Sequence, residues 1–262
     1  MKRILVLGGG FAGIECCLKL ESYFKNNADI EITLVSEDNF MLFTPMLPQV
    51  ASGTIETRHI VTPIRTLIKK SRFFEARIKN IDPYGKTVTL YGTAENRGIQ
   101  LHYNFLVVAL GSQTNFFGMK DVEKNSYTMK TLNDAVVLRN RIIDMLEQAE
   151  NETDPILRKS LLRFVVVGGG FAGVETAGEI NDFVNDVSKY YPHITSEDVK
   201  VILVESSSEI LMGFPRKLAN FAKKKLVERG VRVFLGNGVT SFNGKEVLLK
   251  NMGKSNKLFV AD

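Results

Sequence analysis

ILVLGGGFAGIECC, residues 4–17, returns 160 positions later as FVVVGGGFAGVETA, residues 164–177. The two agree at eight of fourteen positions, including all of GGGFAG. Each follows a short apolar run and opens a helical pattern. In that context G-x-G-x-x-G has a physical job. The first glycine allows a tight turn, the second lets backbone approach a pyrophosphate, and the third lets helix and strand pack closely. The free N–H groups and partial positive charge of the helix start then face the phosphates. The glycines are Gly8, Gly10 and Gly13, around Phe11 and Ala12, and then Gly168, Gly170 and Gly173.

Working outward, the first turn sits between strand 4–7 and a helix running to about Phe24, and a second strand spans Ile30–Val35. That is a βαβ unit of the usual length, roughly 30 residues. The second turn follows strand 164–167, opens a helix to about Val187, and leads to a strand from Val199 to Val204. Helix 215–229 and a strand from Val231 to Leu235 come next. Acids close the second strand of each unit: Glu37 and Glu205 lie 24 and 32 residues past the third glycine, where about 20 is usual. A carboxylate there accepts hydrogen bonds from a ribose diol and repels a 2′-phosphate, so Glu205 favours NADH over NADPH. Two such sites call for two dinucleotides. FAD with NADH is the economical pair, because together they permit hydride transfer.

Between the units, FMLFTPMLPQVASG (40–53) carries two prolines and reads as a loop or short helix start. ARIKNIDPYGKTVTLYG (76–92) alternates about Pro83-Tyr84-Gly85 and reads as a hairpin or meander. FLVVALGS (105–112) reads as a buried strand ending in Gly111. Apolar residues from Leu132 to Ala149 recur at helical spacing and predict a helix over 130–150.

Composition bounds the rest. The chain has 262 residues and a formal charge of +5. Its apolar runs fall short of the ~20 residues of a membrane span, and the start reads as a cytosolic chain entering a strand at once. The positive charge serves solubility or an anionic surface. No nucleic-acid partner is expected, because basic and aromatic residues do not cluster as an RNA-binding sheet requires. Cys16 and Cys17 are the only cysteines. As helix neighbours they point about 100° apart, and they read as small core residues. Metal-ligand spacing is absent from the three histidines.

ILVLGGGFAGIE, DNFMLFTPMLPQVASG, FLVVALGSQTNFFG and RFVVVGGGFAGVETAGEI together resemble the two-dinucleotide-binding pyridine nucleotide-disulfide oxidoreductases. Within them the match is to the type II (non-proton-pumping) NADH dehydrogenases, which are NADH:quinone oxidoreductases. The resemblance covers essentially the whole chain. It implies an α/β fold of two Rossmann-like three-layer domains, the NADH domain (119–262, with its connecting helix) inserted in an FAD domain (1–118). It implies FAD on the first turn with Glu37 at its ribose, Thr44 and Pro45 beside the flavin, Gly111 behind it, NADH on the second turn, and Glu175 near the nicotinamide and flavin. Hydride then passes from NADH to FAD and on to a quinone. Peripheral membrane contact on the inner, cytoplasmic face of the cell membrane is implied, and a homodimer is left open. Ser36 stands where many members carry the ribose acid, so the choice between Ser36 and Glu37 is open. In the family the chain continues beyond the point matching KLFVAD, so a truncated protein with an incomplete FAD domain is expected.

Disulfide reductases of this superfamily need two cysteines beside the flavin, and 38–53 has none, so that branch is disfavoured. Two alternatives remain. Sulfide:quinone oxidoreductases and other FAD/NAD(P)H reductases are the closer rivals, and a nucleotide-binding fragment without turnover is the second.

Overall fold

The computed structural model describes residues 1–91, 98–251 and, by backbone alone, 258–261. Gly92, which ends the predicted meander, and Asp262 lie outside them. The chain forms two compact units, Met1–Phe43 with Ile60–Gln113, and Thr44–His59 with Thr114–Asp262. The TP-containing segment 44–59 thus packs with the second unit.

In the first unit, β1 (Lys2–Leu7), α1 (Phe11–Tyr23) and β2 (Ile30–Ser36) form the expected βαβ. β3 (Phe40–Leu42) pairs antiparallel with β4 (Val61–Pro63), and α3 (Ile64–Leu67) and β5 (Arg72–Glu75) follow. A meander, β6 (Ile78–Asp82), β7 (Thr87–Leu90) and β8 (Ile99–His102), precedes β9 (Phe105–Val108). The main sheet is parallel, in the order β5-β2-β1-β9. Alternation along β1 buries both its faces. Ile4 and Val6 join Ile14 and Cys17 of α1 and Ile64 of α3, while Leu5 and Leu7 join Val88 and Leu90 of the meander. Burial among these side chains pushes the Cys17 thiol up to about 12, in keeping with a core role.

The stretch 105–112 differs from its reading as a buried strand. Strand geometry stops at Val108, and Phe105 and Val108 are exposed. The reason is position: β9 is the edge strand. Ala109 still donates its N–H to Leu7 O at 2.8 Å, but its carbonyl then turns toward Gly8.

The second unit repeats the plan. β10 (Arg163–Val167), α7 (Phe171–Ser188), β11 (Lys200–Glu205), α8 (Arg216–Glu228) and β12 (Arg232–Leu235) build a parallel sheet in the order β10-β11-β12. One face carries α5 (Leu132–Asn151), α7 and α8 through Leu146, Ile180, Leu203 and Leu226. The other meets an antiparallel meander, β13 (Asn237–Phe242), β14 (Val247–Asn251) and β15 (Leu258–Ala261), through Ile202, Val204 and Leu249. Both units are therefore three-layer α/β folds of Rossmann type, with a β-meander as third layer. Leu7, Leu34, Leu146 and Leu203 are fully buried, and truncating any one to alanine should cost about 2–5 kcal/mol.

α5 starts where its sequence says it should. Thr131 accepts from Asp134 N–H at 3.1 Å, and the Asp134 carboxylate accepts from Thr131 N–H at 3.0 Å, closing a capping box. Two short helices complete this unit beside α5: α4 (Lys120–Asn125) is tied to β13 through Asp121, which accepts from Phe242 N–H, and α6 (Pro155–Leu161) is capped by Asp154. α2 (Leu47–Ala51) packs against α5 and α7, after a single 3₁₀ turn over Thr44–Met46.

Candidate dinucleotide sites

The first turn is fixed by backbone. Gly8 donates to Val35 O at 2.8 Å, and its φ of +106° is a left-handed value that disfavours a side chain. A Cβ on Gly8 would overlap the Ala109 carbonyl oxygen, and one on Gly13 would overlap that of Gly8. Gly10 differs. It is the N-cap of α1 with φ −81°, open to any residue, and a Cβ there meets no described atom within 4 Å. Glycine is absolutely required at two of the three positions by the chain itself. At the third the space is free, as approach of a pyrophosphate demands. Phe11, Ala12 and Gly13 begin the helix, with no acid in its first turn to oppose an anion. Gly111 lies beyond β9 with φ +74°, on the loop whose Ala109 abuts Gly8.

The second turn repeats this. Gly168 has φ +109° and donates to Val204 O at 2.8 Å, a Cβ on Gly173 would overlap Gly168 O, and Gly170 caps α7 with open space where its Cβ would stand. Both starts carry a phenylalanine in an edge-on aromatic pair: Phe11 with Phe43, ring centroids 5.5 Å apart, and Phe171 with Phe214, 4.8 Å apart.

The middle glycines show what closes each turn. Gly169 N–H donates to Glu205 Oε2 at 2.6 Å, and Glu205 Oε1 accepts from Ser207 N–H at 2.6 Å and Ser206 Oγ at 3.1 Å. Burial opposes ionisation of Glu205, but the Ser207 and Gly169 amides and the serine hydroxyls outweigh it and hold the carboxyl below its ordinary range. In the first turn the same place is taken by Ser36, whose Oγ accepts from Gly9 N–H at 3.2 Å. The pairings Leu7 to Val35 and Val167 to Val204 put Ser36 and Glu205 in equivalent register. Glu37 is one residue further, with its side chain 70% exposed and its carboxylate 3.9 Å from Arg77.

Glu175 lies on α7 in the turn after its N-terminus, one helical turn before Glu179. Burial first, then the Glu179 charge, raises its carboxyl above the ordinary value. Glu179 accepts from Ser52 Oγ at 2.6 Å and Thr54 Oγ1 at 3.3 Å. These bonds tie the segment that bears Thr44 and Pro45 to the helix that bears Glu175. Sequence reasoning missed Ser52, Thr54 and Glu179, because the partners lie 127 and 125 residues apart. The spacing of Glu175 and Glu179 in GVETAGE was the one signal available.

Residues 2–262 match the pyridine nucleotide-disulphide oxidoreductases. The chain belongs to that family. It is 37% identical over 262 residues to the external alternative NAD(P)H-ubiquinone oxidoreductase B2 of Arabidopsis thaliana mitochondria, a match covering 96% of this chain and 44% of the plant protein. Its fold matches NDH2 from Plasmodium falciparum in complex with NADH at a TM-score of 0.90 and 26% identity, over 99% of this chain and 52% of that one. The sulfide:quinone oxidoreductase of Aquifex aeolicus matches at 0.74 and 20% identity, over 100% and 57%, a likeness of fold alone. The chain thus spans about half the length of these relatives. Among the described residues no helix is long and apolar enough to cross a membrane.

Proposed function

We propose that the protein passes a hydride from NADH to FAD and delivers the electrons to a quinone. The observation that carries this reading is the duplicated cradle: two helix starts, each with open space at the second glycine and glycines dictated by backbone on either side. The residues present fit two pyrophosphates. The first turn, Gly8 to Gly13, holds FAD with Gly111 behind it, and the second, Gly168 to Gly173, holds NADH. A flavin bound there supplies the two-electron relay between nicotinamide and quinone.

The chain's own residues bind and orient. Glu205, held ionised, presents an anion at the strand end that receives a ribose diol and repels a 2′-phosphate. Glu37, or Ser36 in the equivalent register, serves the FAD ribose. Thr44 and Pro45 keep the place beside the flavin that the resemblance gives them. Glu175, its carboxyl raised above the ordinary value by burial and by the Glu179 charge, stands at the nicotinamide end of the reaction. The family's setting extends the proposal to a peripheral enzyme on the cytoplasmic face of a membrane, with a homodimer compatible with it. The domain division at 118/119 and the insertion of the NADH domain are part of the same reading.

The test is optical. The purified protein, incubated with FAD, should retain a flavin absorption band that NADH bleaches and a soluble quinone restores. Retained flavin that NADH leaves unbleached would refute the hydride reading. A colourless product that still binds NADH would favour the nucleotide-binding fragment.

A further inference from the structure

The basic excess of this chain has an address. Residues 212–229, the loop before α8 and α8 itself, hold six of the 34 basic residues and one of the 29 acidic ones. The remainder carries 28 of each sign and is formally neutral, so the whole net charge of +5 belongs to these eighteen residues.

The same stretch exposes its apolar side chains. α8 turns Ala219 and Leu226 into the core. Away from them, Lys217, Phe221, Lys224, Lys225 and Glu228 recur at helical spacing on one face, with Leu218 beside Phe221. Leu218 is 53% exposed, Phe221 58%, and Met212, at the tip of the preceding loop, 71%. The Lys225 ammonium stands 5.7 Å from the Phe221 ring centroid. Ion pairs neutralise the ends of the stretch: Arg216 meets Glu209 at 3.2 Å and Arg229 meets Asp182 at 2.9 Å. Glu228 is shared by Lys224 at 3.6 Å and Lys225 at 2.8 Å. In the middle of this face, three lysines therefore stand against one acid.

We propose that this face of α8 docks on an anionic lipid surface. Cations alone would suit any polyanion. Cations interleaved with exposed Leu, Met and Phe suit an interface where ammonium groups meet lipid phosphates and apolar tips enter the boundary below them. A nucleic-acid backbone gives Leu218 and Met212 nothing to bury. The inference deepens the peripheral membrane contact proposed above and rests on that contact alone, not on the nucleotide sites. It assigns the contact an element and a lipid charge.

Vesicle co-sedimentation of the protein, without NADH, flavin or quinone, tests it. Vesicles of phosphatidylcholine mixed with phosphatidylglycerol should bind the protein, those of phosphatidylcholine alone should not, and added salt should release it. The combined variant Lys217→Gln, Lys224→Gln, Lys225→Gln should weaken partitioning about 100-fold, from the usual worth of a lysine at such a surface. Phe221→Ser should weaken it about tenfold, with an unchanged melting temperature because the ring is exposed. Equal binding to neutral vesicles, or lysine variants that sediment like the parent, would overturn the proposal. So would tighter binding to a single-stranded RNA oligomer than to anionic vesicles, or a loss confined to self-association in light scattering. Because turnover is never read, this test and the flavin test fail independently.

Discussion

In the first unit a hydroxyl, Ser36, receives the amide of the middle glycine at 3.2 Å; in the second a carboxylate, Glu205, receives it at 2.6 Å. The two turns share the left-handed first glycine and the overlap that any Cβ on the third would make, but only Gly8 is also pressed by a neighbouring carbonyl, that of Ala109. A duplicated turn has thus kept its backbone conformation and its crowded third glycine, and changed its electrostatics. The glycines answer to the fold and to the shape of a pyrophosphate, which both nucleotides share. The strand-end residue answers to the sugar, where nucleotides differ.

The sharpest way to break the comparison is within each turn. Gly13→Ala and Gly173→Ala force a side chain into the Gly8 and Gly168 carbonyls, so both should lower stability by more than about 4 kcal/mol. Thermal denaturation reads this. Gly10→Val and Gly170→Val instead occupy open space at φ values of −81° and −73° that valine tolerates. Those variants should melt near the parent and lose a ligand each: flavin for Gly10→Val, NADH for Gly170→Val. If Gly170→Val sheds flavin while Gly10→Val retains it, the two assignments are exchanged.

A smaller effect separates the strand ends. Glu205→Arg removes an anion from the ribose position and should weaken NADH by roughly 1–3 kcal/mol while strengthening NADPH. Equal affinities before and after would sink the ribose role. Acid sharpens the point. The folded carboxyl titrates below its ordinary value of 4.5, so its stabilisation is complete above that pH and is lost as pH falls through the lower folded value. Glu205→Gln should therefore be less stable than the parent at neutral pH, and the gap should close in acid. A gap that stays constant down to pH values below the carboxylate range would mean that the clasp on Gly169 does not depend on charge.

What the sequence made legible follows from how local each signal is. Both βαβ units, α5 with its Thr131 cap, and the meander about Pro83 are patterns within short windows. β5 escaped because Arg72–Glu75 is four residues long and becomes a strand by pairing with Thr33–Ser36, about forty positions earlier. Strands β13 and β14 escaped for a related reason: their inward side chains, Val239, Val247 and Leu249, are defined by Ile202 and Val204 on the sheet they cover. The association of 44–59 with the second unit is longer range still. The choice between Ser36 and Glu37 stayed open because a strand's last residues alternate in direction. The bond from Gly9 N–H to Ser36 Oγ shows that Ser36 faces the turn, while Glu37 points to solvent.

That choice supplies the smallest expected effect. Ser36→Ala deletes the acceptor for Gly9 N–H, a neutral bond of 3.2 Å whose net worth is about 0.5–1.5 kcal/mol. Glu37→Gln deletes a charge that is mostly solvated and 3.9 Å from Arg77, an arrangement worth little to folding. The two variants should thus separate by readout. Ser36→Ala should lower the melting temperature slightly and leave flavin affinity close to that of the parent, because the hydroxyl is occupied by the turn itself. Glu37→Gln should leave the melting temperature alone and, as the exposed acceptor next in line, weaken flavin retention several-fold. Titrating each variant with FAD by fluorescence quenching decides it. A flavin deficit in Ser36→Ala with none in Glu37→Gln would move the ribose contact to Ser36, and the first strand end would then match the second in place as well as in register.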